Sequence, residues 1–233
     1  MCGKFTTLTW DETLEVARCI ETRTPLNLLP DWPAAPNDAR PGAAVPVIIA
    51  DDGGTMAVSC AQPWCKPTLH RMVWGFENPN ARRDRNGDPM GEKGAKPIFN
   101  TRSETAAQSP FWANSFAMRH CIIAARAFYE THRSEQAIGP TGRPVKQAYR
   151  FSRADNLPML MAGIWQGDRF SILTREPDEI VGAVHDRMPV TANVEEARLW
   201  LSGDAQLNAL QPSRFVREPV YATAESSGQL SLF

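Results

Sequence analysis

Residues 120–131, with the sequence HCIIAARAFYET, carry the strongest indication of fold class in this chain. Short apolar runs that contain Ile, Phe and Tyr are typical of buried β-strands, and they predict strands over His120–Ala124 and Ala127–Thr131. Similar segments predict strands over Val45–Ala50, Thr55–Ser59, Arg71–Trp74, Gln147–Ser152, Met159–Trp165 and Arg169–Leu173. The polar segment Asp51–Gly54 predicts a hairpin turn between residues 50 and 55.

Helical patterns occur between the strands. They predict helices over residues 11–20, Pro110–His120, Pro177–Val184 and Val194–Leu201. Asn193 stands where the N-cap of the last helix is expected. Together the elements predict one α+β domain over residues 1–220, with a mainly antiparallel sheet curled towards a barrel and flanking helices. Residues 77–97 are expected to form a long loop, and residues 221–233 a flexible tail.

The composition is that of a soluble globular protein. Of 233 residues, 42% are hydrophobic and 22% are charged, and no apolar run approaches the roughly 18 residues that a membrane-spanning helix needs. The first residues lack the apolar stretch of a secretory signal. We therefore expect reduced thiols in a cytoplasm rather than disulfides for the irregularly spaced Cys2, Cys19, Cys60, Cys65 and Cys121.

Positive charge is concentrated in one part of the chain. The net charge is −1, yet residues 80–150 contain 12 Lys or Arg against 6 Asp or Glu. A locally basic face of this kind binds phosphates on a nearly neutral protein. A solvated surface loop explains the same charges, and the charge pattern leaves both interpretations open.

Four short motifs occur in order along the chain: Met1-Cys2-Gly3-Lys4, Asn100-Thr-Arg102-Ser-Glu104, Ala127-Phe-Tyr-Glu130 and His185-Asp-Arg187-Met-Pro189. In this combination the chain resembles the SRAP family, the SOS response-associated peptidase domain proteins. The resemblance runs from Met1 to about Gly203. The chain departs from the family pattern at Lys4, where Arg is usual, and at Thr131, where Trp is usual.

The resemblance implies a protein that bonds covalently, through Cys2, to abasic sites in single-stranded DNA after Met1 is removed autocatalytically or with assistance. It implies that Glu130 acts as general acid and base near the α-amine. His185 would help to open the sugar, and Asn100 would orient the N-terminus.

The resemblance also implies a set of DNA-binding side chains. Arg102 and Arg187 would hold flanking phosphates, since a guanidinium binds phosphate through two donors. Lys4 keeps the charge of the usual Arg but loses this fork. Trp74 would offer a surface on which a base stacks.

Position 2 suits this chemistry on physical grounds. A free N-terminal Cys2 carries an α-amine and a thiol, whose reference pKa values of about 8 and about 8.5 leave both with reactive fractions near neutrality. The amine forms an imine with an aldehyde, and the thiol then closes a five-membered thiazolidine ring. The ring-opened deoxyribose of an abasic site supplies such an aldehyde. These steps need proton transfers, for which Glu130 and His185 are the candidates.

A zinc site is an alternative use of the cysteines. Cys60-x4-Cys65-x4-His70, with His120-Cys121 downstream, contains the residue types that bind zinc tetrahedrally. The spacing fits no usual zinc ribbon or finger, so buried core thiols are the favoured interpretation. We expect no metal and no cofactor.

The last five residues, Gln229-Leu230-Ser231-Leu232-Phe233, resemble the pentapeptide with which bacterial proteins bind the DNA polymerase sliding clamp. Leu232 and Phe233 are apolar anchors for a pocket on a partner, and Gln229 would hydrogen-bond at its rim. A tail folded back onto its own core is the alternative. Clamp binding would place a cytoplasmic protein at the nucleoid and at replication forks.

The sequence thus predicts a DNA-damage response protein that crosslinks to abasic single-stranded DNA and shields the lesion. Two other classes stay open. The chain could be a cysteine peptidase that uses Cys2 and His185 on other proteins, or a non-catalytic clamp-binding adaptor in which Cys2 is idle.

Overall fold

The computed structural model describes residues 2–29, 37–51, 66–79, 96–204, 207, 210 and 213–221. In these ranges twelve strands form one sheet: β1 (Lys4–Thr7), β2 (Asp38–Ala39), β3 (Ala44–Asp51), β4 (Lys66–Trp74), β5 (Asn100–Arg102), β6 (His120–Ile138), β7 (Pro144–Arg153), β8 (Met159–Gln166), β9 (Arg169–Arg175), β10 (Met188–Pro189), β11 (Thr191–Ala192) and β12 (Phe215–Pro219). The α-helices are α1 (Trp10–Thr22), α2 (Ala113–Met118), α3 (Glu179–Gly182) and α4 (Val194–Ser202). None of these helices is long and apolar enough to cross a membrane.

The sheet is mostly antiparallel. Its main order is β11-β8-β9-β4-β3-β6-β1-β2, and β6 also pairs with β7 and β8. The parallel pairings found in the described ranges both involve β9, which lies beside β4 and β5. A mixed α+β fold with a large, mainly antiparallel sheet is therefore confirmed, while the barrel-like curl remains a prediction.

Strand β6 is longer than the sequence predicts. The sequence places a break at Ala125–Arg126 and an end at Thr131, but the strand continues without interruption to Ile138. Neither residue at the expected break is a turn former, and the Arg126 side chain is held by an ion pair of 2.6 Å with Glu12. Residues 120–129 of β6 pair with β1, β3 and β8, and the extra length continues the pairing with β7.

Side chains of β6 alternate between two cores, one on each face of the sheet. Ile122 and Ala124 belong to a helix-side core with α1 and α4 residues such as Val16 and Trp200. Ile123, Ala125 and Phe128 belong to the other core, which we call the site-side core because it contains Cys2. Period-two alternation divides the side chains up to Ala125 between the two layers. The β1–β6 register then shifts between Ala125 and Ala127, and this irregularity places Phe128 in the same core as Ala125.

The ends of the two longer helices follow from their capping residues. Helix α1 begins after Thr9, whose hydroxyl accepts from Glu12 N–H while the Glu12 carboxylate accepts from Thr9 N–H. Asn193 and Glu196 form the same capping box at α4, which confirms the predicted N-cap. Helix α4 stops at Gly203, which adopts φ 81°, a left-handed conformation that favours glycine.

Other elements differ in extent from their predictions. Helices α2 and α3 are shorter than the predicted segments, and β4 begins five residues before Arg71. It is β4 that pairs with β3 in antiparallel register. The predicted strand Thr55–Ser59, residues 80–95 of the predicted loop and residues 222–233 with the pentapeptide lie outside the described residues.

Candidate active site

The register of β1 on β6 brings the N-terminal segment beside Glu130. Lys4 lies opposite Tyr129, and Phe5 lies opposite Phe128. In an antiparallel pair, a step back along one strand matches a step forward along the other. The residues that precede Lys4 therefore run alongside Glu130.

Cys2 lies inside the protein rather than on its surface. It is 1% exposed, and its Sγ lies 3.5 Å from the Lys4 carbonyl oxygen, to which the thiol donates. Burial and the nearby Glu130 carboxylate raise the pKa of the thiol far above its usual value. The expectation of an appreciable thiolate fraction near neutrality is therefore wrong, because the surroundings of Cys2 disfavour negative charge.

Asn100 is held against Cys2 by the sheet. Its strand, β5, runs parallel to β9, with Asn100 opposite Ile172. The Asn100 Nδ2 donates to the Cys2 carbonyl oxygen at 2.8 Å. Among the residues that the structure describes, none hydrogen-bonds to the buried Asn100 Oδ1. Asn100 thus fixes the backbone of Cys2 and presents a buried acceptor.

Glu130 is a carboxyl group in an apolar setting. It is 5% exposed and projects from β6 beyond Phe128 of the site-side core. Burial raises its pKa to about 7; the positive amino terminus of the chain acts against this shift, and Asp186 adds to it. A carboxyl group that titrates near neutral pH can both donate and accept a proton there.

His185 faces Glu130 from the loop between α3 and β10. Its Nε2 lies 3.8 Å from Glu130 Oε2. Its Nδ1 lies 3.1 Å from the Arg187 backbone nitrogen and 2.9 Å from Asp186 Oδ1. The nearer carboxylate can only accept a hydrogen bond, so it favours a ring proton on Nδ1 and leaves Nε2 as the acceptor that faces Glu130. Burial lowers the pKa of His185, and the amino terminus and Arg133 lower it further. At neutral pH the contact is thus between a neutral imidazole and a half-protonated carboxyl group, and is not an ion pair.

Arg187 is engaged within the protein. Its guanidinium donates to both carboxylate oxygens of Glu104 at 2.9 and 2.7 Å, and to the Thr174 carbonyl oxygen at 2.6 Å. The pair joins the loop of His185 to the segment that follows β5. In this arrangement Arg187 positions the site, and the phosphate role implied by the motif would require it to exchange Glu104 for DNA.

The two other motif cations differ in their freedom. Lys4 Nζ lies 2.7 Å from Asp38 Oδ2 and 4.0 Å from the centre of the Tyr129 ring. Arg102 is exposed and lies two residues from Asn100 on β5, so both side chains point to the same face. Arg102 is therefore the motif cation that is most accessible to a phosphate.

Trp74 is not a stacking surface, and this prediction is wrong. Its side chain is 0% exposed and belongs to the site-side core. The ring packs against Phe5 with centroids 4.8 Å apart, and its Nε1 donates to the Phe99 carbonyl oxygen at 2.8 Å. The sequence shows the aromatic residue but does not show which face of β4 is covered.

The zinc alternative finds no support in the described part of the chain. There, no group of three or more His, Cys, Asp or Glu is placed to hold a metal ion. The two ring nitrogens of His120 lie 2.8 and 2.7 Å from the carbonyl oxygens of Trp200 and Phe116. Cys60 and Cys65 lie outside the described residues.

Tyr149 is a neighbour of the site that the sequence did not reveal. It lies directly opposite Glu130 in the β6–β7 pair, and it is half-buried against the site-side core. The predicted strand Gln147–Ser152 contains it, but only the register of the two strands places it beside the carboxyl group. Arg133, which acts on the pKa of His185, was missed for the same reason.

A family model described as "SOS response associated peptidase (SRAP)" matches residues 1–224. The chain belongs to the SRAP family. Its relatives include abasic site processing protein YobE of Bacillus subtilis, 27% identical over 213 residues, which are 87% of this chain and 82% of that protein. Abasic site processing protein YoqW of Bacillus phage SPbeta is 26% identical over 213 residues, 87% of this chain and 80% of that protein.

Solved structures agree with the SRAP fold. A protein from Bordetella bronchiseptica superposes with a TM-score of 0.62 at 24% identity, covering 95% of this chain and 100% of that one. A protein from Bacteroides thetaiotaomicron gives a TM-score of 0.63 at 16% identity, covering 94% and 92%. At these identities the similarity shows a shared fold.

Proposed function

We propose that this SRAP protein processes abasic sites in single-stranded DNA by bonding to them through Cys2 and so shielding the lesion from strand cleavage. The observation that carries the proposal is the meeting of Cys2, Asn100, Glu130 and His185 at one end of β1. The names of the relatives YobE and YoqW, both abasic site processing proteins, support it.

The first bond forms at the α-amine that removal of Met1 exposes. The hemiacetal opens to an aldehyde as the anomeric hydroxyl gives its proton to neutral His185 and the ring oxygen of the deoxyribose takes one from protonated Glu130. His185 then returns its proton to Glu130 across their 3.8 Å contact, so both groups regain their starting states. The amine adds to that aldehyde to give a carbinolamine. Loss of water from the carbinolamine, assisted by protonated Glu130, leaves an iminium.

The second bond closes the ring. The Cys2 sulfur adds to the iminium carbon as its proton passes to Glu130. The product is a thiazolidine, and the sum of the steps consumes one aldehyde and one aminothiol and releases one water. The carboxyl group therefore returns to its starting protonation state.

Removal of Met1 prepares the reactive residue. Hydrolysis of the Met1–Cys2 bond consumes one water and frees methionine and the α-amine of Cys2. The Asn100 contact to the Cys2 carbonyl holds the backbone next to that bond. We propose that Glu130 serves this step also, which makes it a single-turnover self-processing reaction.

The test uses single-stranded DNA with one abasic site and a denaturing gel. Wild type should give a covalent band without a reductant. Cys2→Ala and Cys2→Ser should give a band only after borohydride reduction, because both keep the α-amine that forms an imine but lack the thiol that closes the thiazolidine. Cys19→Ala is the matched control, since Cys19 is also a buried free thiol but lies on α1. A band from Cys2→Ala that matches wild type would overturn the proposal.

A turnover cysteine peptidase is the competing function, and the word peptidase in the family description invites it. Such an enzyme needs a thiolate, which a lowered thiol pKa supplies. Here the pKa of Cys2 is raised instead. An assay of peptide cleavage beside the gel distinguishes the two, because a peptidase would turn over peptides without forming the DNA band.

We further propose that the C-terminal pentapeptide binds the bacterial sliding clamp and so brings the protein to replication forks. The support is the sequence Gln229-Leu-Ser-Leu-Phe233 itself. Replacement of Leu232 and Phe233 by Ala should abolish binding to purified clamp while Ser231→Ala retains it. Crosslinking to naked DNA should be equal in both variants; clamp binding that survives the double replacement would refute the idea.

A further inference from the structure

A second group of side chains continues outward from the Cys2 site on the same face of the sheet. Phe128 and Phe151 lie opposite each other in the β6–β7 pair and stack with centroids 4.9 Å apart in the site-side core. Two positions further along each strand, Glu130 and Tyr149 again lie opposite each other. Side chains so paired have Cβ atoms about 4.5–5.5 Å apart, so Tyr149 borders Glu130.

The Tyr149 ring is fixed on its protein side and reachable from solvent. Its hydroxyl donates to Glu135 Oε2 at 2.8 Å. The guanidinium of Arg217, diagonally across on β12, lies 5.3 Å from the ring centre, and the His132 ring centre lies 6.3 Å away. Tyr149 is half-buried and Arg217 is exposed.

An irregularity in β6 produces this arrangement. The β6–β7 register shifts between Thr131 and Gln136. The backbone N–H groups of Ser134 and Glu135 donate to His132 Nδ1 at 3.3 and 2.9 Å, which curls the strand and directs Glu135 towards Tyr149. Bulges of this kind re-aim side chains next to active sites.

We propose that Tyr149 and Arg217 form a stacking subsite for the unpaired base next to the abasic nucleotide. The subsite rests on the proposed function, since it takes the abasic deoxyribose to lie beside Cys2 and Glu130. Single-stranded bases stack on aromatic rings and on guanidinium planes. Tyr149 and Arg217 supply both surfaces at the rim of the site, and the Arg217 charge also suits the adjoining phosphate.

A purely structural role for Tyr149 makes a different prediction. If the Tyr149–Glu135 bond only stabilised the β6–β7 hairpin, its loss would affect folding and every DNA ligand equally. A stacking role instead couples Tyr149 to one particular base. The test therefore removes that base as well as the side chain.

The experiment measures binding to short single strands that carry a tetrahydrofuran analogue of the abasic site, which cannot form an imine. One strand is complete; two others lack the neighbouring base on one side or on the other. Stacking on a partly exposed ring should make Tyr149→Ala bind the complete strand about 5- to 10-fold more weakly. Its affinity should equal that of wild type on one of the two base-deleted strands.

Further variants isolate the ring. Tyr149→Phe keeps the π face and should bind like wild type, and Arg217→Ala should lose part of the base-dependent affinity. Arg150→Ala is the matched control, because Arg150 adjoins Tyr149 in β7 but points to the opposite face and pairs with Glu218 at 3.3 Å. If Tyr149→Ala does not fold, Tyr149→Leu replaces it, since Leu fills the space without a π face.

Equal losses of affinity on all three strands, or no loss on any, would overturn the subsite. The proposed function has its own test. It fails if wild type gives no covalent band with a reactive abasic strand, and this result does not depend on how tightly wild type binds the analogue.

Discussion

Replacement of Glu130 by Gln tests the electrostatics of the site through protein stability. Burial raises the pKa of Glu130 from 4.5 to about 7 in the folded protein. The folded state then binds more protons than the unfolded chain between these values. The carboxyl group therefore stabilises the fold fully below pH 4.5, and this contribution is lost as the pH rises through 7. Gln does not titrate, so Glu130→Gln lacks this pH dependence.

The size of the effect follows from proton linkage. For a group with a pKa of about 7 when folded and 4.5 when unfolded, the contribution to the free energy of unfolding falls by about 2.5 kcal/mol between pH 5 and pH 8. Wild type should lose this amount relative to Glu130→Gln over that range. The free energy of unfolding of Glu130→Gln, measured relative to that of wild type, should therefore be higher at pH 8 than at pH 5.

The assay is denaturant unfolding of both proteins at pH 5, 6, 7 and 8, followed by circular dichroism, with the N-terminal residue of each confirmed by mass spectrometry. The difference between the proteins cancels the groups that titrate alike in both. A difference that stays constant from pH 5 to pH 8, within about 0.5 kcal/mol, would show that Glu130 does not titrate near 7. Its assignment as acid and base would then fall.

Three further substitutions separate the roles of neighbouring residues. Asn100→Ala removes the donor to the Cys2 carbonyl oxygen and should slow crosslinking about 2- to 10-fold in single-turnover gel kinetics, in line with the net value of one hydrogen bond; an unchanged rate would refute the positioning role. Arg187→Lys loses the fork on Glu104 and should lower the free energy of unfolding by about 1–2 kcal/mol, an effect that should vanish in a Glu104→Gln background. Trp74→Ala should lower the free energy of unfolding by about 3–5 kcal/mol in denaturant unfolding, because the side chain is fully buried. Trp74→Phe should bind DNA like wild type, and weaker binding by folded Trp74→Phe would restore the stacking role.

The candidate site was predictable from the sequence to the extent that its residues stand in motifs. Cys2, Asn100, Glu130 and His185 were all named there, but nothing in their spacing states that β1 lies on β6. That register depends on long-range pairing, and it also decides that Tyr149 borders Glu130. Local pattern cannot supply such information, because shifting a strand by one residue exchanges its faces.

The sequence could not show which partners surround Trp74 and Arg187. Trp74 was assigned to the surface because the pattern of β4 does not show that Phe5 and Phe170 cover it from other strands. The phosphate role of Arg187 stays a prediction, and the motifs do not show that Arg187 pairs with Glu104 in the protein without DNA. In both cases tertiary contacts decide the partner of the side chain.

In the proposed reaction, burial of Cys2 sets the order in which its two bonds form. A thiol that is 1% exposed and has a raised pKa reacts slowly with freely diffusing electrophiles, because it holds its proton at neutral pH. The α-amine of the same residue brings the iminium carbon within one ring closure of the sulfur, so a free thiolate is not needed. What the closure needs is a base close to Sγ, and the register of β1 on β6 brings the N-terminal segment beside Glu130. The burial that makes Cys2 unreactive towards bulk reagents is also what brings the pKa of Glu130 to about 7, where it can take that proton.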